Sequence, residues 1–123
     1  MSFLDRFRRR AVHARYEARV EFLGEQEGGP EAEFKAALQP ILSASDSVER
    51  AYLARVGFQP EMAACVALCL ACAAEVPPAL LQKLARAFAQ RFNSASALDI
   101  LRISAEQEID LRRVCVPFYR RAG

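Results

Sequence analysis

Histidine is nearly absent from this chain, since His13 is the only one among 123 residues. Catalytic arrangements that pair a serine or cysteine nucleophile with an imidazole base would therefore depend on this one residue. His13 belongs to an N-terminal arm and not to the predicted core. The chain also has no phosphate-binding loop of the form G-x-x-x-x-G-K-[ST]. The sequence thus predicts a protein that is not an enzyme and uses no cofactor.

Long hydrophobic runs are missing too, although 53% of the residues are hydrophobic. No 18-residue stretch is apolar and free of charge, and the opening MSFLDRFRRR has no apolar core of signal-peptide length. We therefore expect a cytoplasmic protein whose four cysteines are thiols. Its 17 basic and 15 acidic residues are interleaved and leave a net charge of +2, so nucleic acid is not an expected partner.

Three of the cysteines, Cys65, Cys69 and Cys72, have the spacing C-x3-C-x2-C. Thiolates at this spacing on an open loop can hold a four-iron cluster, as in radical enzymes that use S-adenosylmethionine. The residues between them are all apolar, however, and large and small side chains alternate as they do in a buried strand. A strand would place Cys65 and Cys69 on one face and Cys72 on the other, whereas a helix would place all three on one face. We favour the strand, with structural thiols and no metal.

The first 14 residues form a predicted basic amphipathic arm, and residues 15–123 form a single domain. Phe3 and Phe7 recur at helical spacing, and arginines occupy many of the remaining positions. We interpret the segment as an arm that docks on its own domain or on a second copy. The functional alternative is a contact with a membrane surface or a partner protein.

Alternating polarity predicts a first strand from Arg15 to Phe22, ended by Gly24. A helix should begin at Pro30, and Pro40 should kink it or mark a change of geometry. Two further strands, 48–56 and 62–72, are predicted to form a hairpin.

The second half of the chain repeats this helix and strand pattern. A helix opens at Pro77-Pro78, and a short strand covers residues 98–103. The last helix begins at Ser104, which can form a capping box with Gln107, and Pro117 is expected to stop it.

The resulting order, β-α-β-β-α-β-α, predicts an α+β fold with a ferredoxin-like or split βαβ sheet and with helices packed on one face. The strand over residues 65–71 is apolar on both faces, so its second face must be covered as well. The small side chains on that face would allow close approach by the last helix, the N-terminal arm or a second subunit.

Four stretches carry a resemblance to a known family: RVEFLG at 19–24, VERAYLARV at 48–56, LDILRI at 98–103 and PFYRR at 117–121. Over roughly residues 16–121 the chain resembles the C-terminal domain of the enhanced serine sensitivity protein family, SseB. The family often has a further domain upstream, where this chain has its short arm. The resemblance establishes no reaction, offers no catalytic residues and assigns no role to the cysteine run.

The chain end joins aromatic and basic residues: Phe118, Tyr119, Arg120 and Arg121. RNA contact is one interpretation, because aromatic rings stack on bases. We favour core or interface anchors, because Phe118 continues the apolar stripe of the last predicted helix.

A second candidate site is the loop from Gly24 to Pro30, which includes Gly28 and Gly29. It connects a strand to a helix N-terminus, where backbone N–H groups could bind an anion or an amino-acid carboxylate. Glu25 and Glu27 oppose this function, and a plain connecting loop is the alternative.

Three functions follow from these features. The first, which we favour, is an interaction or regulatory module with an unidentified protein partner and with homodimerisation as a further prediction. The second is an amino-acid-sensing domain that uses the Gly24–Pro30 loop, by analogy with regulatory domains of the same element order. The third is an immunity-type protein that neutralises a toxin, which the net charge of +2 does not favour.

Overall fold

The computed structural model describes residues 20–58, 64–92 and 98–122 of the chain. Within them, five strands and three helices alternate along the sequence. The strands are β1 (Val20–Glu25), β2 (Val48–Phe58), β3 (Ala64–Cys72), β4 (Asp99–Ile103) and β5 (Tyr119–Arg120). The helices are α1 (Gly29–Ser43), α2 (Pro78–Arg91) and α3 (Ala105–Leu111).

The strands form one mixed sheet in the order β1-β2-β3-β4. β2 and β3 are an antiparallel pair, which confirms the predicted hairpin, and β4 lies parallel to β3. β1 and β5 both pair with β2 in antiparallel orientation, β1 along Ala54–Phe58 and β5 at Arg50 and Ala51. The two strands therefore follow one another along the same edge of β2.

The α+β class is confirmed, but the ferredoxin-like order is not confirmed in detail. A βαβ unit joins two parallel strands through a helix. α2 does this between β3 and β4, whereas α1 joins β1 to β2, which are antiparallel. The first predicted βαβ half is therefore wrong, and β5 is a strand that the sequence analysis did not predict.

The first face of the sheet is covered by α1 and α2. Large aliphatic and aromatic side chains from both helices pack on alternate residues of the central strands, Leu53 of β2 and Leu68 of β3 among them. The ring of Phe34 makes edge-to-face contacts with Phe88 and Phe92, at centroid distances of 5.7 and 5.6 Å. The other large and fully buried side chains of this core are Leu38, Leu42, Leu70, Leu84, Leu98 and Ile100.

The second face is covered by α3 and the loop that follows it. Leu111 and Cys115 pack on small side chains of β2 and β3, including Ala54, Ala67 and Cys69. The predicted cover over the 65–71 strand is thus confirmed, and the last helix provides it. The prediction that helices pack on one face is wrong, because α3 lies opposite α1 and α2.

Local signals at the start of α1 were predicted well. Pro30 lies in the first turn, and Gly28 before the helix has φ 144°, a conformation that side-chain-bearing residues rarely adopt. The helix continues through Pro40 and ends at Ser43. β1 continues one residue past Gly24, which is therefore a strand residue and not part of the loop.

The last helix is shorter than the sequence predicted. Its capping box is confirmed. The Ser104 hydroxyl accepts a hydrogen bond from the Gln107 backbone N–H, and the Gln107 side-chain oxygen accepts one from the Ser104 backbone N–H. α3 nevertheless ends at Leu111, six residues before Pro117. The apolar stripe predicted to run to Phe118 is therefore not helical: Cys115 lies in a loop, and Tyr119 begins β5.

Candidate functional site

Large apolar side chains remain exposed on α3 and on the loop that follows it. Ile109 of α3 is 62% exposed, and Val114 and Val116 in the loop are 41% and 68% exposed. We call these three residues the α3 surface. Leu23 of β1 is 38% exposed as well. Across residues 20–57, 65–92 and 98–122, whose side-chain exposure the structure describes, no other large hydrophobic residue is exposed.

A carboxylate beneath α3 fixes this helix to β2. Glu108 is 8% exposed, and its two oxygens accept from Nε and Nη2 of Arg50, at 2.5 and 2.9 Å. The Tyr52 hydroxyl donates a third bond to the same carboxylate. The bonds from Arg50 hold the pKa of Glu108 below its ordinary value, against the opposing effect of burial. Glu108 is thus a buried anion with its charge matched.

A second carboxylate fixes the loop after α3 to the end of β1. Oε1 of Glu25 accepts from the Val116 backbone N–H at 3.1 Å and from the Cys115 thiol at 3.7 Å. Its other oxygen pairs with Lys35 of α1 at 3.1 Å. Burial raises the pKa of Glu25, but the bonds from Val116 and Lys35 outweigh it and lower the pKa overall. α3 and its loop are therefore anchored at two separate points.

The titratable groups beneath the α3 surface are held in unreactive forms at neutral pH. Burial, with the bond to Glu108, raises the pKa of Tyr52 to about 12, so this phenol stays protonated. Burial and the neighbouring Glu25 raise the pKa of Cys115 to about 12. Burial raises the pKa of Cys69 as well. Protonated thiols are poor nucleophiles, and carboxylates of lowered pKa are poor general acids at neutral pH.

The cysteine run lies on β3, as the favoured interpretation predicted. Cys65 and Cys69 face α3, whereas Cys72 packs against the core of the first face. All four cysteines are thiols. Within residues 20–58, 64–92 and 98–122, no three histidine, cysteine, aspartate or glutamate side chains are grouped so as to hold a metal ion.

The predicted contact residues at the chain end belong largely to the core. Tyr119 is buried, and its hydroxyl donates to the Leu42 carbonyl at 3.3 Å, while Phe118 packs partly buried against the same core. Arg121 donates to the Asp46 carbonyl at 2.8 Å. Arg120 is exposed. The two aromatic residues therefore anchor the chain end in the core, whereas Arg120 lies at the surface.

The predicted ligand loop contains a negative charge next to its backbone. A Cβ placed on Gly28 would lie 2.5 Å from Oε1 of Glu31, so this carboxylate stands beside the start of α1. Its other oxygen accepts from Gln26 at 2.8 Å. Gly29 is the first residue of the helix. The Glu31 carboxylate would repel an anionic ligand at the place where the prediction required backbone N–H groups open to that ligand.

Some predicted residues lie outside the described ones, and some important residues were not predicted. Phe3, Phe7 and His13 lie outside the described ranges. The bonds from Arg50 and Tyr52 to Glu108 were missed, because they join residues more than 50 positions apart and no local spacing indicates them. The exposure of Ile109 was missed as well, because it depends on the burial of its neighbour Glu108 against Arg50 and Tyr52.

Comparisons with protein-family models, with curated proteins and with solved structures find nothing similar to this chain. Among the described residues, no helix is both long enough and apolar enough to span a bilayer.

Proposed function

We propose that this protein is a non-enzymatic interaction or regulatory module that binds a protein partner through the α3 surface. The observation that supports this most directly is the location of the exposed apolar side chains. Single exposed hydrophobic residues are ordinary, but a group of them on adjoining segments is typical of an interaction surface. Here three follow one another along α3 and its loop, at Ile109, Val114 and Val116.

The anchoring of the α3 surface supports the same function. α3 has only seven residues, and a helix of this length has little stability of its own. The bonds from Arg50 and Tyr52 to Glu108 hold the helix, and Glu25 holds the loop at Val116. A surface fixed in this way loses less conformational entropy when a partner binds. The buried Glu108 and the half-buried Glu25 thus have a structural explanation that requires no catalysis.

The proposal is tested with Ile109→Arg, which places a charge at the centre of the α3 surface. We expect proteins captured stoichiometrically by the original chain from the native cytoplasm to be lost with this variant. The matched control is Gln82→Arg, the same introduced charge at an exposed position of α2. Binding should then be reproduced with the purified partner, and both variants should melt within about 2 °C of the original protein because surface changes rarely alter stability.

Equal capture by Ile109→Arg and by Gln82→Arg would refute the α3 surface as the binding site. Equal loss with both would indicate a nonspecific charge effect. Arg120→Ala tests the chain end in the same assay, since Arg120 is an exposed residue of that predicted site. Loss of partner capture with Arg120→Ala alone would assign the binding site to β5.

We likewise propose the similarity to the SseB C-terminal domain, a cytoplasmic location, a homodimer and a ferredoxin-like relationship. Amino-acid sensing through the Gly24–Pro30 loop is the competing function. A thermal-shift series against the twenty amino acids tests it, because a ligand at about 100 times its dissociation constant adds about 2.7 kcal/mol of stability. A reproducible rise with L-serine that Gly28→Ala abolishes would favour sensing over interaction.

A further inference from the structure

The side of α3 that faces away from the sheet carries four exposed residues: Glu106, Ile109, Asp110 and Arg113. Their spacing, i, i+3, i+4 and i+7, places them on one side of a helix, while Glu108 and Leu111 are buried on the other. Helical winding continues past Leu111, because the Arg112 and Cys115 N–H groups still donate to carbonyls four residues back, at 2.9 Å each. We call the four exposed residues the outward row.

Charge changes sign along the outward row, with Ile109 between the two signs. Glu106 lies about one turn before Ile109, and Arg113 lies about one turn after it. The exposed charges of this segment sum to zero, since Glu106 and Asp110 are matched by Arg112 and Arg113. The helix dipole favours the same order, acids first and cations last, but it does not explain the exposed isoleucine between them.

The charges of the outward row are free to pair with another molecule. Asp110 and Arg113 lie 3.8 Å apart, but their side chains are 66% and 75% exposed, and an exposed pair of this kind contributes little to stability. Among the residues that the structure describes, Glu106 forms no ion pair. A partner that offered an arginine to Glu106 and a carboxylate to Arg113 would therefore displace no strong interaction.

A second copy in antiparallel orientation would offer both groups. A two-fold axis beside Ile109 would place the two isoleucines in contact and Glu106 of each copy beside Arg113 of the other. The spacing allows this, because Glu106 lies about 4.5 Å before Ile109 along the helix axis and Arg113 about 6 Å after it. Val114 would then lie near the start of the other α3, where the exposed side chain of Ala105 is small.

We propose that the partner of the α3 surface is a second copy of this chain, bound through antiparallel outward rows in a two-fold symmetric dimer. This inference rests on the proposed function, in which the α3 surface binds a protein. A two-fold contact uses the same residues on both copies and therefore requires a surface that complements itself. A row of one charge would repel its copy, whereas this row presents acids to arginines. α3 is only about 10 Å long, so the contact is small and we expect an affinity of about micromolar.

Exchange of the two charges tests the proposed pairing. Glu106→Arg would bring two arginines together at each contact, and Arg113→Glu would bring two acids together, so each variant alone should self-associate about tenfold more weakly. In an equimolar mixture the opposite charges meet again, and a mixed dimer should recover most of the original affinity. Sedimentation equilibrium measures this as a mass that rises with concentration from the 13.7 kDa of one chain. Each variant is the matched control for the other, and thermal melts show that both are folded.

Self-crosslinking at position 109 provides a measurement that does not depend on the charges. A residue beside a two-fold axis meets its own copy, so Ile109→Cys should form a disulfide-linked dimer on mild oxidation. The matched control is Gln82→Cys, at an exposed position of α2, and the original chain with its four thiols is a second control. Equal crosslinking in the three proteins would overturn the proposal.

A mass of 13.7 kDa for the original chain up to about 500 μM, far above a micromolar dissociation constant, would also overturn the proposal. A mixture of Glu106→Arg and Arg113→Glu that stays as weakly associated as either variant would do the same. These failures differ from a failure of the proposed function. If the original chain is monomeric and Ile109→Arg still loses a captured protein of different sequence, the α3 surface binds that protein and only the second copy is refuted.

Discussion

The two faces of the sheet are covered by different means. On the first face, two helices of 15 and 14 residues bury large side chains such as Phe34 and Leu38. On the second face, one seven-residue helix lies on small side chains such as Ala67, and an ion pair between the buried Glu108 and the half-buried Arg50 connects it to β2. The first core depends on apolar area, whereas the second depends on close approach and on matched charge.

This difference assigns separate tasks to the two faces. A core of large interlocking side chains resists local opening and supplies most of the free energy of folding. A short helix held by Glu108 and Glu25 contributes less apolar burial but is fixed at defined points. The stable face therefore supports the sheet, and the anchored face presents the exposed side chains of the α3 surface.

The largest expected effect compares one leucine from each face, both fully buried. Leu38→Ala in α1 should lower the free energy of unfolding by about 4 kcal/mol, since two helices and the sheet surround the cavity. Leu111→Ala should cost about 2 to 3 kcal/mol, because the end of a short helix and its loop can collapse onto the gap. Urea unfolding monitored by circular dichroism measures both. Equal losses of unfolding free energy from the two variants would contradict the distinction between the two faces.

The second effect tests the ion pair of Glu108 with Arg50. Glu108→Gln removes the charge that matches Arg50 and should lower the free energy of unfolding by about 2 kcal/mol, a typical value for a hydrogen bond to a charged group. The control is Glu106→Gln, which makes the same change on the same helix at an exposed position. That variant should lose no more than about 0.5 kcal/mol. Similar losses from both variants would show that the pair contributes nothing beyond helix charge.

The same pair predicts how stability depends on pH. The folded-state pKa of Glu108 is lowered from its ordinary value of 4.5. A lowered folded-state pKa means a contribution that is complete above the unfolded value and is lost as the pH falls through the folded value. The difference in stability between the original protein and Glu108→Gln should therefore be constant near neutral pH and shrink below about pH 4.5. Thermal melts at a series of pH values check this, and a difference that grew with acidity would contradict it.

Most of the fold could be predicted because its signals are local. Alternation predicted the hairpin, proline predicted the start of α1, and the pair Ser104 and Gln107 predicted the start of α3. The errors concern relations between distant segments. Whether α1 joins parallel or antiparallel strands depends on which edges pair, and a two-residue strand such as β5 has no periodicity to detect.

The candidate site was harder to predict for the same reason. The sequence left open whether the aromatic residues of Phe118–Arg121 are core or interface anchors, and Tyr119 is buried because β5 pairs with β2 and orients this ring toward α1. The exposed residues were assigned to a longer helix. α3 ends at Leu111, so Val114 and Val116 follow a loop whose path is fixed by Glu25, a residue 90 positions away from Cys115. Sequence periodicity contains no information on such a contact.

The smallest expected effect tests close approach on the second face. Ala67→Val adds two carbons to β3 beneath α3 and should lower the free energy of unfolding by about 1 to 2 kcal/mol, because Ala67 is fully buried and the space is filled. Val66→Ile is the control, one position earlier on the first face, where the side chain is only half-buried and the added carbon should change stability by less than about 0.5 kcal/mol. Urea unfolding of the two variants measures both changes in stability. A neutral Ala67→Val would mean that α3 lies loosely on the sheet, and the ion pair of Glu108 with Arg50, not close packing, would then be what holds this face together.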